Sequence, residues 1–163
     1  MTDVFDKVQR SRVMSRIGGK NTKPEMALRR GLHALGFRYR LHAKNLSGKP
    51  DLVFPRYSAV CFVNGCFWHQ HPGCHLATTP STRHDFWQEK FAANRQRDER
   101  NHRLLLEDRW RVAVVWECQL KKHYLAETVI SVAEWLNLNA NDLIATNPAI
   151  IWTPPPDSHD TTA

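Results

Sequence analysis

A mixed α/β fold, with one four-stranded sheet and helices on its faces, is what this chain predicts, and three observations carry the prediction. Three short apolar runs follow one another closely, Phe37 to Leu41, Asp51 to Phe54 and Ala59 to Val63, and a fourth, Arg111 to Trp116, comes only after a long helical stretch. These runs are strand-like in length and in their branched and aromatic content. A meander of three strands that reaches a fourth through a helix requires helices packed on the sheet. Finally, 163 residues, 42% of them hydrophobic, are enough for one domain with a buried core. The predicted order is α-β-β-β-α-β-α.

The chain opens with an arm, residues 1–23, in which Lys7, Arg10, Arg12, Arg16, Lys20 and Lys23 face only two acids and which ends near the breaker pair Gly18-Gly19. Thr22-Lys23-Pro24-Glu25 has the form of a capping box with proline in the first turn, opening a helix whose Leu28, Leu32 and Leu35 share a face and which Gly36 ends. The three strands follow. Gly65 to Cys74 reads as a compact polar loop, and a helix is expected from about Thr82 to Glu107, with Phe86, Lys90, Phe91 and Asn94 at helical spacing. After the fourth strand, Val129, Val132, Ala133 and Leu136 form the stripe of a last amphipathic helix. Residues 24–138 are thus expected to be the folded domain, and 139–163, which lose periodicity and end in a proline-rich run, a disordered tail.

Charge is distributed unevenly. Residues 1–103 carry a net +11 and residues 104–163 a net −4, so the front of the chain is expected to meet a polyanion. No window is apolar enough for a membrane span, and the charged N-terminus lacks a signal-peptide core, so a cytoplasmic protein is expected. In that reducing compartment the four cysteines are better read as metal ligands than as disulfides.

Cys66, His71 and Cys74 stand at C-x4-H-x2-C spacing among Gly65, Pro72 and Gly73, which allow tight bends, and Cys118 follows the last strand. Thiolates with an imidazole form the tetrahedral set that Zn²⁺ prefers, so a structural zinc is expected here. His69 and His75 compete with His71 for the histidine position. Cys61 alternates within an apolar strand and reads as a buried small hydrophobe.

Hydrolysis of a phosphodiester needs carboxylates to hold Mg²⁺ and a group to activate water. Asp51 is the outstanding carboxylate, opening a strand otherwise made of Leu52, Val53 and Phe54. Glu25 is a second candidate that also fits the third helical position of the capping box, and its side chain is not expected to fill both roles easily. His69, in the loop that zinc would shape, is the natural proton acceptor.

Asn64-Gly65-Cys66-Phe67-Trp68-His69-x-His71-x-x-Cys74, with Arg83-x-x-Phe86-Trp87-x-x-Lys90 and Trp110-Arg111-Val112 through Trp116-Glu117-Cys118, closely resembles the very-short-patch repair (Vsr) endonucleases, over roughly residues 5–137. The resemblance implies a restriction-endonuclease-like core. It implies a nicking site at Glu25, Asp51 and His69, and a structural zinc on Cys66, His71, Cys74 and Cys118. The reaction implied is a magnesium-assisted nick 5′ to the thymine of a T:G mispair left by deamination of 5-methylcytosine, and a MutL-type repair partner follows from the family alone. Two departures stand out. The strand ending Phe62-Val63-Asn64 lacks the Glu-x-Lys of most nucleases of that fold, a pair the Vsr family also lacks. Members of that family commonly carry histidine where this chain has Asn64, which cannot transfer a proton near neutral pH. A catalytically impaired mismatch-binding protein and a restriction-type nuclease cutting both strands are therefore alternative readings.

Double-stranded DNA with a mispair can be recognised by prying its weakened stack open. Phe67 and Trp68, adjacent large rings in a constrained polar loop, suit that role, and the resemblance adds Trp87. Ordinary core packing is the competing reading for all three, with Phe86 expected to be more of a core residue than Trp87. Lys90 and Asn94 lie one and two turns along the same helix, within reach of base edges. In the arm, Met14 and Ile17 share a face among Arg10, Arg12 and Arg16, as expected of a segment that closes around DNA. A monomer is expected, since one mispair is asymmetric.

Overall fold

The computed structural model describes residues 19–138 and residue 153. Arg12, Met14, Arg16 and Ile17 of the basic arm, and the tail that was expected to be disordered, lie outside the described residues except for residue 153. The first helix, α1 (Lys23–Ala34), starts as the capping box predicts. The Glu25 N–H donates to Thr22 Oγ1 at 3.4 Å, and the Thr22 N–H donates to Glu25 Oε2 at 3.2 Å. Gly36 ends the helix in the left-handed region at φ +92°, while Leu35 is its exposed cap rather than a third member of the buried face.

Four strands form one sheet in the order β1 (Arg40–Leu41), β2 (Leu52–Phe54), β3 (Ala59–Asn64) and β4 (Arg111–Trp116). The first two junctions are antiparallel and β3 pairs with β4 in parallel. The predicted first strand shrinks to two exposed edge residues, because Phe37 turns into the core and Tyr39 packs edge-on against Phe54. Between β3 and β4 lie a one-turn helix, α2 (Cys66–His69), where an irregular loop was expected, and the long α3 (His84–Glu107). Among the described residues the order is therefore α-β-β-β-α-α-β-α, closed by α4 (Leu125–Asn137).

The parity of the central strands explains why they read as continuously apolar. Leu52, Phe54, Ala59, Cys61, Ala113 and Val115 face a core shared with Leu28 and Leu32 of α1 and Val129, Val132 and Leu136 of α4. The alternate residues, Val53, Val60, Phe62, Val112 and Val114, face a second, smaller core with Leu105 of α3. A sheet covered on both faces leaves no strand position for a polar residue except at its ends. Cys61, fully buried in β3, belongs to the first core as expected. Arg111 ties the start of β4 to the end of α4 by donating to the carbonyls of Trp135 and Leu136 in the last turn of that helix. Among the described residues no helix is long and apolar enough to cross a membrane.

Helices α1 and α4 meet at Gly31, where an added Cβ would stand 2.5 Å from Val129 Cγ2. Glycine inside a helix costs about 1 kcal/mol relative to alanine, and the close approach is what offsets that cost. Gly31→Ala is expected to lower stability in urea unfolding despite its better helix propensity, since overpacking costs about 1–3 kcal/mol. Combined with Val129→Ala it should lose less than the two single losses together, and simple additivity would refute the close-packing account.

Candidate active site and cysteine-histidine cluster

Every candidate site residue among those described lies at or near one end of the sheet, where β2 begins and the parallel strands β3 and β4 finish. Asp51 immediately precedes β2, and the Val63 N–H donates to its Oδ2 at 2.7 Å. Burial raises its carboxyl above the ordinary range, and the Val63 N–H, His42, Arg29 and His69 pull the other way. Glu25 is 2% exposed. Its two oxygens have different partners. Oε2 caps Thr22, and Oε1 pairs with Arg29 and lies 3.3 Å from His42 Nε2. One ligand atom from each of Glu25, His42 and Asp51 lies within 4.8 Å of the others.

His42 and Arg29 were not singled out in the sequence, although both carried a signal. The antiparallel pairing of Leu41 with Leu52 sets His42 opposite Asp51, and Arg29 stands four residues after Glu25 on one helix face. Burial, then Arg29, pushes the His42 imidazole below its ordinary pKa.

His69, the last residue of α2, places Nδ1 against Asp98 Oδ2 of α3, with both side chains about four-fifths buried. A carboxylate on Nδ1 fixes the tautomer and leaves Nε2 to take a proton. Asp98 could not be found by spacing, since it lies 29 residues from His69. A cavity of about 620 Å³ is lined by Asp51, Asn64, His69 and Asp98 and rimmed by cations that include Lys44, Lys49 and Arg100. Asn64 is buried at the end of β3, opposite Trp116. His102, one turn beyond Asp98, packs its ring 4.8 Å from Phe62, and burial lowers its pKa.

The cysteine cluster follows from strand register. Asn64 pairs with Trp116, so Cys66 and Cys118, each two residues further on, emerge side by side. Ligand atoms of Cys66, His71, Cys74 and Cys118 all lie within 4.8 Å of one another. His71 Nδ1 is 3.7 Å from Cys66 Sγ and 3.3 Å from Cys118 Sγ, and its ring stacks on Trp116 at 4.1 Å and 8°. Of the three competing histidines, His71 is the one in this cluster, while His69 faces Asp98. Burial raises the Cys66 thiol and pushes Cys118 up to about 12, so the sulfurs need a cation to ionise.

Phe67 and Trp68 are half-buried and join a ring cluster with Trp87 and Phe91. The expectation for α3 is reversed here. Phe86 is 43% exposed beneath Arg83, while Trp87 packs against Phe67 and Phe91. Asn94 donates its amide to the Trp68 carbonyl at 3.0 Å, and Lys90 is exposed. Trp68, His69, Lys90 and Asn94 line a second cavity of about 650 Å³.

Residues 2–75 match the family described as DNA mismatch endonuclease Vsr. The chain is 40% identical over 139 residues to the DNA mismatch endonuclease Vsr of Escherichia coli K12, covering 83% of this chain and 88% of that protein. The chain belongs to the Vsr family. It is 49% identical over 120 residues to the type II nicking enzyme V.XorIIP of Xanthomonas oryzae pv. oryzae (74% of this chain, 88% of the relative). It is 46% identical over 121 residues to V.NmeAIP of Neisseria meningitidis serogroup A (74% and 86%). As a Vsr protein it is a DNA endonuclease, a hydrolase acting in mismatch repair. The matched segment contains Glu25, Asp51, Asn64 and His69 but not Asp98 or Cys118, which reach the site only through the fold.

Because burial raises the Asp51 carboxyl in the folded chain, the stability tied to it is present at acid pH and is lost as pH rises through that raised value. Above that raised value the ionised group is a liability to the fold. Without divalent ions, Asp51→Asn should melt a few degrees above wild type near pH 7, and the gap should close as pH falls toward the carboxylate range. A variant that melts lower at neutral pH would contradict the sign.

Proposed function

We propose that this Vsr protein makes a strand-specific nick 5′ to the thymine of a T:G mispair in DNA. The observation that carries the reading is the His69–Asp98 pair sharing one cation-rimmed cavity with Asp51. In this reading the nuclease domain, residues 24–138, has a restriction-endonuclease-like core. Its sheet end is the nicking centre.

Asp51 would hold a divalent ion, magnesium in our reading, which supplies positive charge to the scissile phosphate. The residues fit that group, since Asp51 lines the cavity and the Val63 N–H engages only one of its two oxygens. His69 Nε2 takes the proton of the attacking water, and Asp98 stabilises the imidazolium that results. Glu25 acts on the centre through Arg29 and His42, which it contacts. Asn64 contributes a hydrogen bond and no proton. Lys44, Lys49 and Arg100 on the rim meet backbone phosphates, which set position and not sequence.

Recognition would fall to the ring cluster and its neighbours. Phe67, Trp68 and Trp87 enter the loosened stack at the mispair, while Lys90 and Asn94 meet base edges from α3. Arg12, Met14, Arg16 and Ile17 of the arm, residues 1–23, close on the duplex. Zinc would hold Cys66, His71, Cys74 and Cys118, and so fasten α2, which carries both rings and the proton acceptor. A monomer suits an asymmetric mispair, and a MutL-type protein is the repair partner that the family implies.

The test is a labelled duplex with one T:G mispair in a CT(A/T)GG context, incubated with Mg²⁺ beside a matched duplex. One nick 5′ to the mispaired T is expected, with none in the matched duplex and none from Asp51→Ala. Asp98→Asn should slow nicking by about 10²–10⁴-fold, the range of acid-base catalysis. Binding without cleavage would overturn the catalytic assignment, and linearisation of matched plasmid would point to a restriction-type nuclease.

Metal analysis of the purified chain should find one zinc, lost from Cys118→Ser. Stripping it with a chelator should abolish nicking and lower the melting temperature together, and a metal-free chain of unchanged stability would rule out the structural role.

A further inference from the structure

The one-turn helix α2 carries Phe67, Trp68 and His69, yet little within it fixes its direction. A helix of four residues has almost no backbone bonding of its own, and the first N–H groups of any helix lack an intrahelical partner. Its N-cap is Gly65, which has no side chain to supply the missing acceptor. The acceptor comes instead from 51 residues away, where Glu117 Oε2 accepts from the Cys66 N–H at 3.3 Å. Side chains hold two of the carbonyls as well. Gln70 Nε2 donates to that of Phe67 at 2.8 Å, and Asn94 Nδ2 to that of Trp68 at 3.0 Å.

Glu117 directly precedes Cys118, so two consecutive residues just past β4 engage Cys66 in different ways. Cys118 meets its sulfur in the cysteine-histidine cluster, while Glu117 meets its backbone. The two ties are not equivalent. A held sulfur leaves rotation about the Cα–Cβ and Cβ–Sγ bonds, so it fixes where α2 starts and not where it points. A helix N–H lies along the helix axis, so an acceptor placed on it constrains that axis. Glu117 also lines the 650 Å³ cavity with Trp68, His69, Lys90 and Arg97, and it is the one acid among the lining residues. Contact with DNA phosphate does not explain a carboxylate there, since the two charges repel.

We propose that Glu117 is a positioning residue of the nicking reaction. By accepting from the Cys66 N–H it sets the axis of α2, and so aims Phe67 and Trp68 at the mispair and His69 at the attacking water. What matters is the place of one oxygen and not the negative charge. The inference rests on the proposed reading of α2 as the carrier of the rings and the proton acceptor.

Two substitutions separate reach from charge. Glu117→Gln keeps the chain length and a carbonyl oxygen without the charge, whereas Glu117→Asp keeps the charge and draws the oxygens back by one carbon. Single-turnover nicking of the T:G duplex by the full zinc-loaded chain, at saturating protein, should stay within about three-fold of wild type in Glu117→Gln. In Glu117→Asp it should fall about 10–100-fold, since a misplacement of about 1 Å at the reacting groups can cost about 10²-fold. Both variants should keep their zinc. Selective ¹⁵N labelling of cysteine reads the hydrogen bond without any cleavage. The Cys66 amide should exchange slowly with solvent in wild type and Glu117→Gln, and about ten-fold faster or more in Glu117→Asp, the scale of one charge-assisted hydrogen bond. The reverse order, with Glu117→Asp active and Glu117→Gln slow, would make charge the cause and overturn the inference. Equal rates in all three proteins, or loss of zinc from Glu117→Asp, would overturn it too. If wild type leaves the T:G duplex intact, the proposed function falls, and the exchange rates still decide whether Glu117 holds α2. If Glu117→Asp does not fold, the rate and the Cys66 exchange of Glu117→Gln decide.

Discussion

The parallel pairing of β3 with β4 is the constraint on which the remainder of the molecule depends. Its register, Ala59 with Arg111 through Asn64 with Trp116, ends both strands at the same level. Two residues beyond that level Cys66 and Cys118 come together, and the turn that starts at Cys66 becomes α2. A slip of one residue would send every side chain of β4 to the opposite face and exchange the two cores. The same slip would separate the cysteines. Strand pairing and the cysteine cluster are thus two descriptions of one geometry, which explains how a helix of a single turn can carry Phe67, Trp68 and His69 in fixed directions.

The long α3 gains its place from that end of the sheet as well. Its 24 residues span about 36 Å, yet only Phe91, His102 and Leu105 are buried. Phe91 meets the ring of Phe67, Asn94 holds the Trp68 carbonyl and Asp98 meets His69, so successive turns of α3 grip successive residues of α2. What remains exposed along α3 is rich in arginine, a surface suited to a polyanion. The packing that fixes the site and the charge that attracts DNA lie on one helix.

Legibility in the sequence followed the range of the interaction. The capping box of α1 was readable because Thr22 and Glu25 are three residues apart and meet through the local backbone. The cysteine-histidine set was readable because three of its members lie within nine residues, and the fourth adjoins a recognisable strand end. Asp98 was not, since an acid in an arginine-rich helix has a local explanation in ordinary charge pairing, and nothing in its neighbours refers to His69. Phe86 and Trp87 were assigned the wrong way round because helical spacing fixes which residues share a face, while the direction of that face depends on α2. Arg29 and His42 fall between these cases. Their partners were within reach of helix spacing and strand register, but only the folded chain brings the two pairs to one point.

The place of Asn64 is best understood through the imidazoles near its end of the sheet. His42 Nε2 is engaged by Arg29, His71 belongs to the cysteine cluster and His102 is packed on Phe62. Each therefore has a structural claim on its ring that would have to be broken before it could move a proton. His69 is different, because Asp98 engages Nδ1, not Nε2, and the residue lines the same cavity as Asp51 and Asn64. Asn64, buried at the end of β3, can accept or donate a hydrogen bond but cannot transfer a proton near neutral pH. On the proposed reading, proton removal rests on one histidine and charge neutralisation on Asp51 and its ion. That division asks more of the Asp98 contact, since no neighbouring imidazole is free to replace a His69 held in the wrong tautomer.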